Sequence, residues 1–315
     1  MTLTELKYIV AVARERHFGR AALACFVSQP TLSVAIKKLE DELGVSIFER
    51  GGVEVGVTPV GAQLVAQAHK VLEESANMKE IARVGHNPLI GPLRVGVIYT
   101  IGPYLLPKLV PLQIKRTPQM PLILQENFTV KLLELLRQGE IDCAIMALPL
   151  PETGLSMIPL YDEPFVVAMP SSHPWASRQS ISSSDLKHQQ MLLLGSGHCF
   201  RDQVLDVCPE LSRFADATEG IQRTFEGSSL ETIRHMVAAG VGITVMPISA
   251  VNGSDQTDGG LIKYLPFDEP IPDRRVVLAW RKSFPRTAAI DSLVKAVQDS
   301  GLEGVRLLAS STLQS

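Results

Sequence analysis

The chain has 315 residues, 45% of them hydrophobic and 20% charged, with a formal net charge of −3. That length suits about two domains of ordinary size or three small ones, and the composition excludes disorder as the default state. No global basic excess marks a nucleic-acid binder, and the first sixty residues are close to neutral, so any grip on DNA must come from cations clustered in space. Apolar residues alternate with charges from Met1 to Arg20, which argues against a secretory leader. No run reaches the roughly 18–20 consecutive apolar residues that a membrane helix needs. The expectation is a cytoplasmic protein, in which four cysteines are kept reduced. Two close cysteines there read as a metal, catalytic or redox-sensing pair before a structural staple.

Leu6, Ile9, Val10 and Ala13 have helical spacing over Leu3–Glu15, with Thr2 or Thr4 as a cap. Gly19–Ala24 makes a short second helix whose alanines allow close packing. Val27–Thr31 reads as a turn with Ser28 as N-cap and Pro30 in the first helical turn. The third helix runs to Leu43 with Leu32, Ile36, Leu39 and Leu43 inward, and Gly44 stops it. Two β-prone pieces, Val45–Phe48 and Glu54–Val57, join across Arg50-Gly51-Gly52. This is helix-turn-helix plus wing. Gln29 can donate to and accept from an adenine edge, Thr31 and Ser33 can read bases or bind phosphate, and Pro30 can touch a thymine methyl. Lys37, Lys38 and Arg50 are placed to neutralise phosphates. A three-helix packing module with solvated charges fits the same pattern.

The stretch AALACFVSQPTLSVAIKKLEDELGVSIFER…TPVG resembles the winged helix-turn-helix of LysR-type regulators over about 60 residues. That resemblance implies DNA binding by Ser28, Gln29, Pro30, Thr31, Ser33, Lys37 and Arg50. Val34 departs from it, standing where many members carry an arginine.

Thr58-Pro59 then opens a long helix to Val84. Its seam, Val60, Leu64, Ala68, Val71, Ser75, Met78 and Ala82, steps by three and four and suits pairing with a second copy. Packing on its own domain is the alternative. Gly85-His86-Asn87-Pro88 breaks the helix. From Pro92 the pattern alternates: strand Leu93–Ile98, helix Tyr104–Ile114, strand Leu122–Gln125, helix Val130–Arg137 capped by Thr129, strand Cys143–Leu148. Such alternation argues for a parallel sheet with helices on its faces. Phe165–Met169 opens a second run with Leu192–Leu194, a helix from near Ser229, and Ile243–Pro247. Val276–Trp280 and the helix Arg286–Ser300 return late, as in two subdomains around a cleft. The resemblance implies a type 2 periplasmic-binding-protein-like effector domain, so the fold class is α+α/β. The expected division is 1–58 for DNA binding, 59–88 for the linker helix and hinge, and 89–315 for the effector domain. Within that domain, subdomain I takes about 89–163 and 268–300, and subdomain II about 164–267. The tail Gly301–Ser315 and the region Ser212–Arg223 carry no reading.

Cys199 lies between His198 and Arg201 in Gly197-His198-Cys199-Phe200-Arg201-Asp202-Gln203, and the apolar period after it places it at a helix start. Cations and a helix N-terminus favour the thiolate that attacks peroxide. Cys208 follows nine positions later and is a candidate to capture a sulfenic acid. A wholly helical 199–208 segment holds the two Cα atoms about 13 Å apart, and a disulfide needs about 4.4–6.8 Å, so closure requires local unwinding. A merely buried Cys208 is equally compatible with the residues. Cys25 and Cys143 read as inert core.

IYTIGPYLLP, ENFT, YDEPFVV, GHCFRDQVL…C and SSLETIRHMVAAG extend the resemblance over nearly the whole chain, to the peroxide-sensing subfamily of LysR-type regulators. It implies Cys199 as the peroxidatic and Cys208 as the resolving residue. Thr100, Thr129, His198, Arg201 and Asp202 are implied around the peroxide, with Arg274, or Arg275 beside it, as the nearby cation. Implied partners are double-stranded DNA, hydrogen peroxide, a second copy through the linker helix and then a tetramer, RNA polymerase, and thioredoxin or glutaredoxin as reductant. No cofactor is implied, the Cys and His spacings fit no zinc pattern, and the chain reads as a regulator of promoters, activating or repressing, rather than an enzyme. A LysR-type regulator with a small organic effector in its cleft is the competing reading.

Overall fold

The Thr2 hydroxyl accepts from the Glu5 N–H while the Glu5 carboxylate accepts from the Thr2 N–H, a reciprocal box that fixes where the first helix begins. The computed structural model describes residues 1–49, 55–84, 87–150, 154–209, 224–227, 229–251, 259–309 and 313–314. In it the chain divides into two units, one built on Met1–Gly85 and the other on the residues from His86 onward.

The first unit contains α1 (Leu3–Glu15), α2 (Phe18–Ala24), α3 (Gln29–Leu43), β1 (Phe48–Glu49), β2 (Gly56–Val57) and α4 (Pro59–Val84). Leu6, Ile9 and Val12 of α1 bury against Ala21 and Ala22 of α2 and Leu32, Ile36 and Leu39 of α3. Leu43, expected inward, is exposed at the last turn of α3. The wing strands are shorter than expected, because Val45–Phe48 is largely committed to closing α3. The Val45 N–H donates to the Glu40 carbonyl, and the Glu40 carboxylate accepts from the Ile47 and Phe48 N–H groups. The turn Arg50-Gly51-Gly52 lies outside the described residues. On α4, Leu64, Val65, Ala68 and Leu72 pack on this core, whereas Val60, Val71, Met78 and Ile81 are exposed. The expected seam is therefore split: Leu64 and Ala68 serve their own domain, and other positions face solvent.

The second unit comprises β3 (Leu93–Ile98), α5 (Gly102–Arg116), β4 (Leu122–Asn127), α6 (Thr129–Gln138), β5 (Cys143–Ala147), β6 (Leu155–Pro170), β7 (Met191–Leu194), α7 (Cys199–Val207) and β8 (Thr224–Gly227). It continues with α8 (Leu230–Ala238), β9 (Thr244–Pro247), β10 (Ile262–Pro266), β11 (Asp273–Arg281), α9 (Thr287–Gln298), β12 (Arg306–Leu307) and β13 (Leu313–Gln314). The main sheet has the order β10-β6-β11-β5-β3-β4. Only β4-β3-β5 is parallel, and β11 joins antiparallel to both β5 and β6. The expected parallel sheet is thus mixed, because the late strand returns in the opposite sense. The expected second run is present in β7, α8 and β9, but no separate strand opens it at Phe165, since β6 is continuous from Leu155 to Pro170 and serves both subdomains. Pro159 is accommodated where the β6–β11 register shifts, a position at which a missing N–H is tolerated.

Two apolar cores result. One joins β3, β5, the first half of β6, β11, α5, α6 and α9. The other joins the second half of β6 with β7, α7, α8, β9 and β10. Buried Arg286 donates to the carbonyls of Pro88, Ile90, Gly91 and Pro92, tying the start of this unit to α9. The tail gains a structure here: β12 and β13 pair antiparallel with β6, and Leu302 and Val305 pack on the first core. Among the described residues, no helix is long and apolar enough to cross a membrane.

Candidate functional site

Two surfaces carry chemistry, and α3 carries the first. Ser28 caps it: the Ser28 Oγ accepts from the Thr31 N–H at 3.3 Å and shares a hydrogen bond with Thr31 Oγ1 at 2.8 Å. Both hydroxyls are therefore engaged with each other at the helix start. Gln29, Pro30, Val34, Lys37 and Lys38 are exposed and Ser33 half-buried, so one outward face presents an amide, apolar contact and two ammonium groups. That set suits base edges and phosphates in a groove. Arg50 falls outside the described residues.

The second surface is a small pocket at the carboxyl ends of the parallel strands β3 and β4, where ligands of such sheets sit. It is lined by Ile98, Tyr99 and Thr100 after β3, by Asn127, Phe128 and Thr129 between β4 and α6, and by Gly197, His198 and Cys199 at the start of α7. The free volume is about 10 Å³, room for roughly one water-sized molecule. Gly197 has φ +97, and this left-handed turn brings His198 and Cys199 into the wall. The buried His198 ring meets Phe128 edge-on at 4.8 Å and Tyr99 at 5.9 Å. Thr129 stands in the first turn of α6, not at its cap as expected. Its hydroxyl is buried without a hydrogen-bond partner, which leaves a donor and acceptor for a small polar guest.

The two sulfurs belong to different cores. Cys199 is half-buried against the first core, and Cys208 is buried in the second, at the C-terminal cap of α7. Neither cysteine is in a disulfide. Phe200 and Val204 hold α7 to the second core, while the Gln203 amide donates to the Leu148 carbonyl at 2.9 Å on the other side. The Gln203 carbonyl oxygen is buried without a partner. Cys143 is fully enclosed in β5, and burial pushes its thiol far above the ordinary range. Burial also raises the Cys25 thiol, at the end of α2.

Strand alternation separates the two arginines. Arg274 and Arg275 lie opposite Glu163 and Asp162 on β6 and point to opposite faces of the sheet. Arg275 pairs with Asp162 at 2.7 Å near the surface, together with Arg306 of the tail. Arg274 is buried. Its Nε donates to Glu163 at 2.7 Å, its Nη1 to Thr100 Oγ1 at 2.8 Å and its Nη2 to the Thr100 carbonyl at 3.0 Å, beneath the Phe200 ring. The other Glu163 oxygen accepts from the Ser249 N–H at 3.1 Å.

Of the expected residues, Cys199, His198, Thr100 and Thr129 meet in one pocket, and Arg274 supports it from behind Thr100. Arg201 turns its guanidinium to the Leu194 carbonyl, and Asp202 is exposed on α7; neither lines the pocket. Sequence reading missed Tyr99, Phe128, Glu163 and Gln203 as site groups. All four sit inside stretches already noticed, and Glu163 had one overt signal, a carboxylate just before the apolar run Phe165–Met169.

Comparison with known proteins agrees with this architecture. Residues 3–62 match the family model for the bacterial regulatory helix-turn-helix protein, lysR family, and residues 86–301 match the LysR substrate binding domain. The chain is 42% identical over 298 residues to the "DNA-binding transcriptional dual regulator OxyR" of Escherichia coli K12, covering 95% of each. It is similar to the structure of full-length OxyR C199D from Pseudomonas aeruginosa, with 52% identity, a TM-score of 0.75 and 99% of both chains covered. It is also similar to a hydrogen-peroxide-bound mutant of Corynebacterium glutamicum OxyR, with 36% identity, a TM-score of 0.62, and 96% of this chain and 93% of that one covered. The winged helix-turn-helix followed by this two-core α/β unit thus belongs to the LysR family of bacterial transcriptional regulators.

Proposed function

We propose that this chain is a hydrogen-peroxide-sensing transcriptional regulator that binds double-stranded DNA through α3 and reads peroxide through Cys199, with Cys208 as the resolving thiol. The observation that carries this reading is the pocket itself: a half-buried thiol beside an unpartnered buried hydroxyl, with space for a molecule the size of water. An organic effector needs a far larger cavity. The names of the relatives, and the peroxide bound to the Corynebacterium glutamicum protein, point the same way.

In the first step the Cys199 sulfur bonds one peroxide oxygen, the O–O bond breaks, and the departing oxygen takes the thiol proton and leaves as water. The sulfenic acid then reacts with the Cys208 thiol, forming the disulfide and releasing a second water. With Cys199 at the first and Cys208 just past the last residue of α7, the helical rise separates them by about 13 Å. Closure to about 4.4–6.8 Å unwinds α7 and pulls a thiol out of one core, so the redox state is written into the fold of the effector unit. A dithiol reductant of the thioredoxin or glutaredoxin type restores the two thiols. Residues 1–58 serve DNA binding, 59–88 form the linker helix that pairs with a second copy, and 89–315 form the sensor. A tetramer and contact with RNA polymerase complete the reading, in the cytoplasm.

Cys199→Ser is expected to abolish the peroxide response of a target promoter while leaving DNA binding intact. A normal response in that variant removes Cys199 as the sensor. Gln29→Ala is expected to weaken specific more than non-specific DNA binding, and equal losses place Gln29 outside base readout.

A further inference from the structure

Glu163 and Arg274 form an ion pair with no exposed side-chain surface on either partner. Such a pair is weak evidence for stability, because two apolar residues of similar volume do as well or better. Its geometry suggests another use. Arg274 spends two of its N–H donors on one residue, Thr100, engaging both the hydroxyl and the backbone carbonyl. A hydroxyl that accepts from a guanidinium cannot point its own proton back at it, so the Thr100 O–H is directed elsewhere, and Thr100 lines the thiol pocket.

We infer that Glu163 is a positioning residue for the peroxide reaction: by fixing Arg274, it orients the Thr100 hydroxyl as a hydrogen-bond donor to the pocket's guest. The inference rests on the reading of Cys199 as the reacting thiol. When sulfur attacks one peroxide oxygen, negative charge develops on the other as the O–O bond breaks. A preoriented donor stabilises that charge without reorganising. Thr100 keeps its proton throughout, and the departing oxygen receives the one lost by the thiol. The guanidinium is held on three sides: by Glu163, by Thr100, and by the Phe200 ring at 5.0 Å. Glu163 is itself fixed by the Ser249 N–H at 3.1 Å. These contacts bring β6, β11, the turn after β3, α7 and the segment after β9 to a single cation.

The test follows the reaction of Cys199 in the full-length reduced protein with two reagents, the oxidant hydrogen peroxide and the alkylating agent iodoacetamide. Alkylation expels iodide and needs no donor to a departing oxygen. Glu163→Gln is expected to slow the peroxide reaction by about ten-fold while alkylation stays within two-fold or so of the parent. In a Thr100→Val background the same substitution is expected to have little further effect on the peroxide rate, because the group through which it acts is gone. Equal slowing with both reagents, or a full additional loss in the Thr100→Val background, overturns the inference in favour of a general structural role. Glu163→Asp keeps the charge pair but withdraws the carboxylate by one methylene, and it carries the same comparison if the glutamine variant does not fold. A parent protein whose Cys199 is inert to peroxide contradicts the proposed function instead, so the two failures are distinguishable.

Discussion

The helices α3 and α7 both begin at a candidate functional surface, yet they are built oppositely. α3 is closed at both ends: the Ser28 hydroxyl accepts from the Thr31 N–H, and Gly44 takes the left-handed conformation at φ 67. Leu32, Ile36 and Leu39 bury one stripe in a single core. α7 is nine residues long, has no side-chain cap at His198, and ends on Cys208 with φ −136 instead of a left-handed glycine. Its contacts are divided between two cores. A helix that short is not stable by propensity and depends on what it packs against. Under the proposed function, the first presents side chains without moving, and the second is given up when a sulfur changes partner.

The largest expected effects contrast the two helices. Ile36→Ala in α3 should cost about 2–5 kcal/mol, a large share of a small domain's stability, and abolish specific DNA binding; thermal unfolding and a binding titration check both. Val204→Ala in α7 should cost about 1–3 kcal/mol, leave DNA binding by the reduced protein intact, and accelerate disulfide formation. A slower disulfide step in that variant breaks the contrast, since it means that α7 must stay folded to react.

Smaller effects sharpen it. Ser28→Ala should remove about 1 kcal/mol through the lost cap, seen as a lower denaturant midpoint for the first unit. At α7 the corresponding His198→Ala removes no cap bond, and its effect should appear in the peroxide rate through the aromatic wall. Gln203→Leu deletes the hydrogen bond to Leu148, about 1 kcal/mol. It should shift the thiol–disulfide equilibrium several-fold toward the disulfide, read in a glutathione redox titration.

The smallest effect lies at the tail. The Asp162 carboxyl is held below its ordinary value first by hydrogen bonds from Arg275, with burial opposing and Arg306 assisting. Its folded value is depressed, so its stabilisation is present above the ordinary Asp range and disappears as pH falls through the lower folded value. Arg306→Ala weakens that depression, and the acid unfolding limb should move slightly toward higher pH. Arg306 is 71% exposed, so the change should stay under about 1 kcal/mol.

The contrast between these helices also explains what was readable beforehand. Caps, proline at the first turn and terminal glycines are local signals, and they located α1, α3 and α4 closely. The mixed sheet was not legible, because an apolar run such as Cys143–Ala147 looks alike beside a parallel or an antiparallel neighbour. Only Phe165–Met169 of β6 was read as a strand, and the register shift opposite β11 that accommodates Pro159 in its first half is a tertiary feature. Thr100, Thr129, His198 and Cys199 came from three separate stretches, and only the resemblance joined them. Glu163 showed only a carboxylate before an apolar run, because its partner, Arg274, lies 111 residues away. The tail pairing with β6 depended on an edge that cannot be seen in one dimension.

The most direct measurement is peptide mapping of free and cross-linked thiols before and after stoichiometric hydrogen peroxide, paired with amide exchange over Cys199–Val207. The expected result is the rapid loss of two thiols, a Cys199–Cys208 disulfide, and faster exchange across α7 while α3 is unchanged. Four free thiols after peroxide, or a disulfide formed with α7 still protected, would contradict a switch built on unwinding that helix.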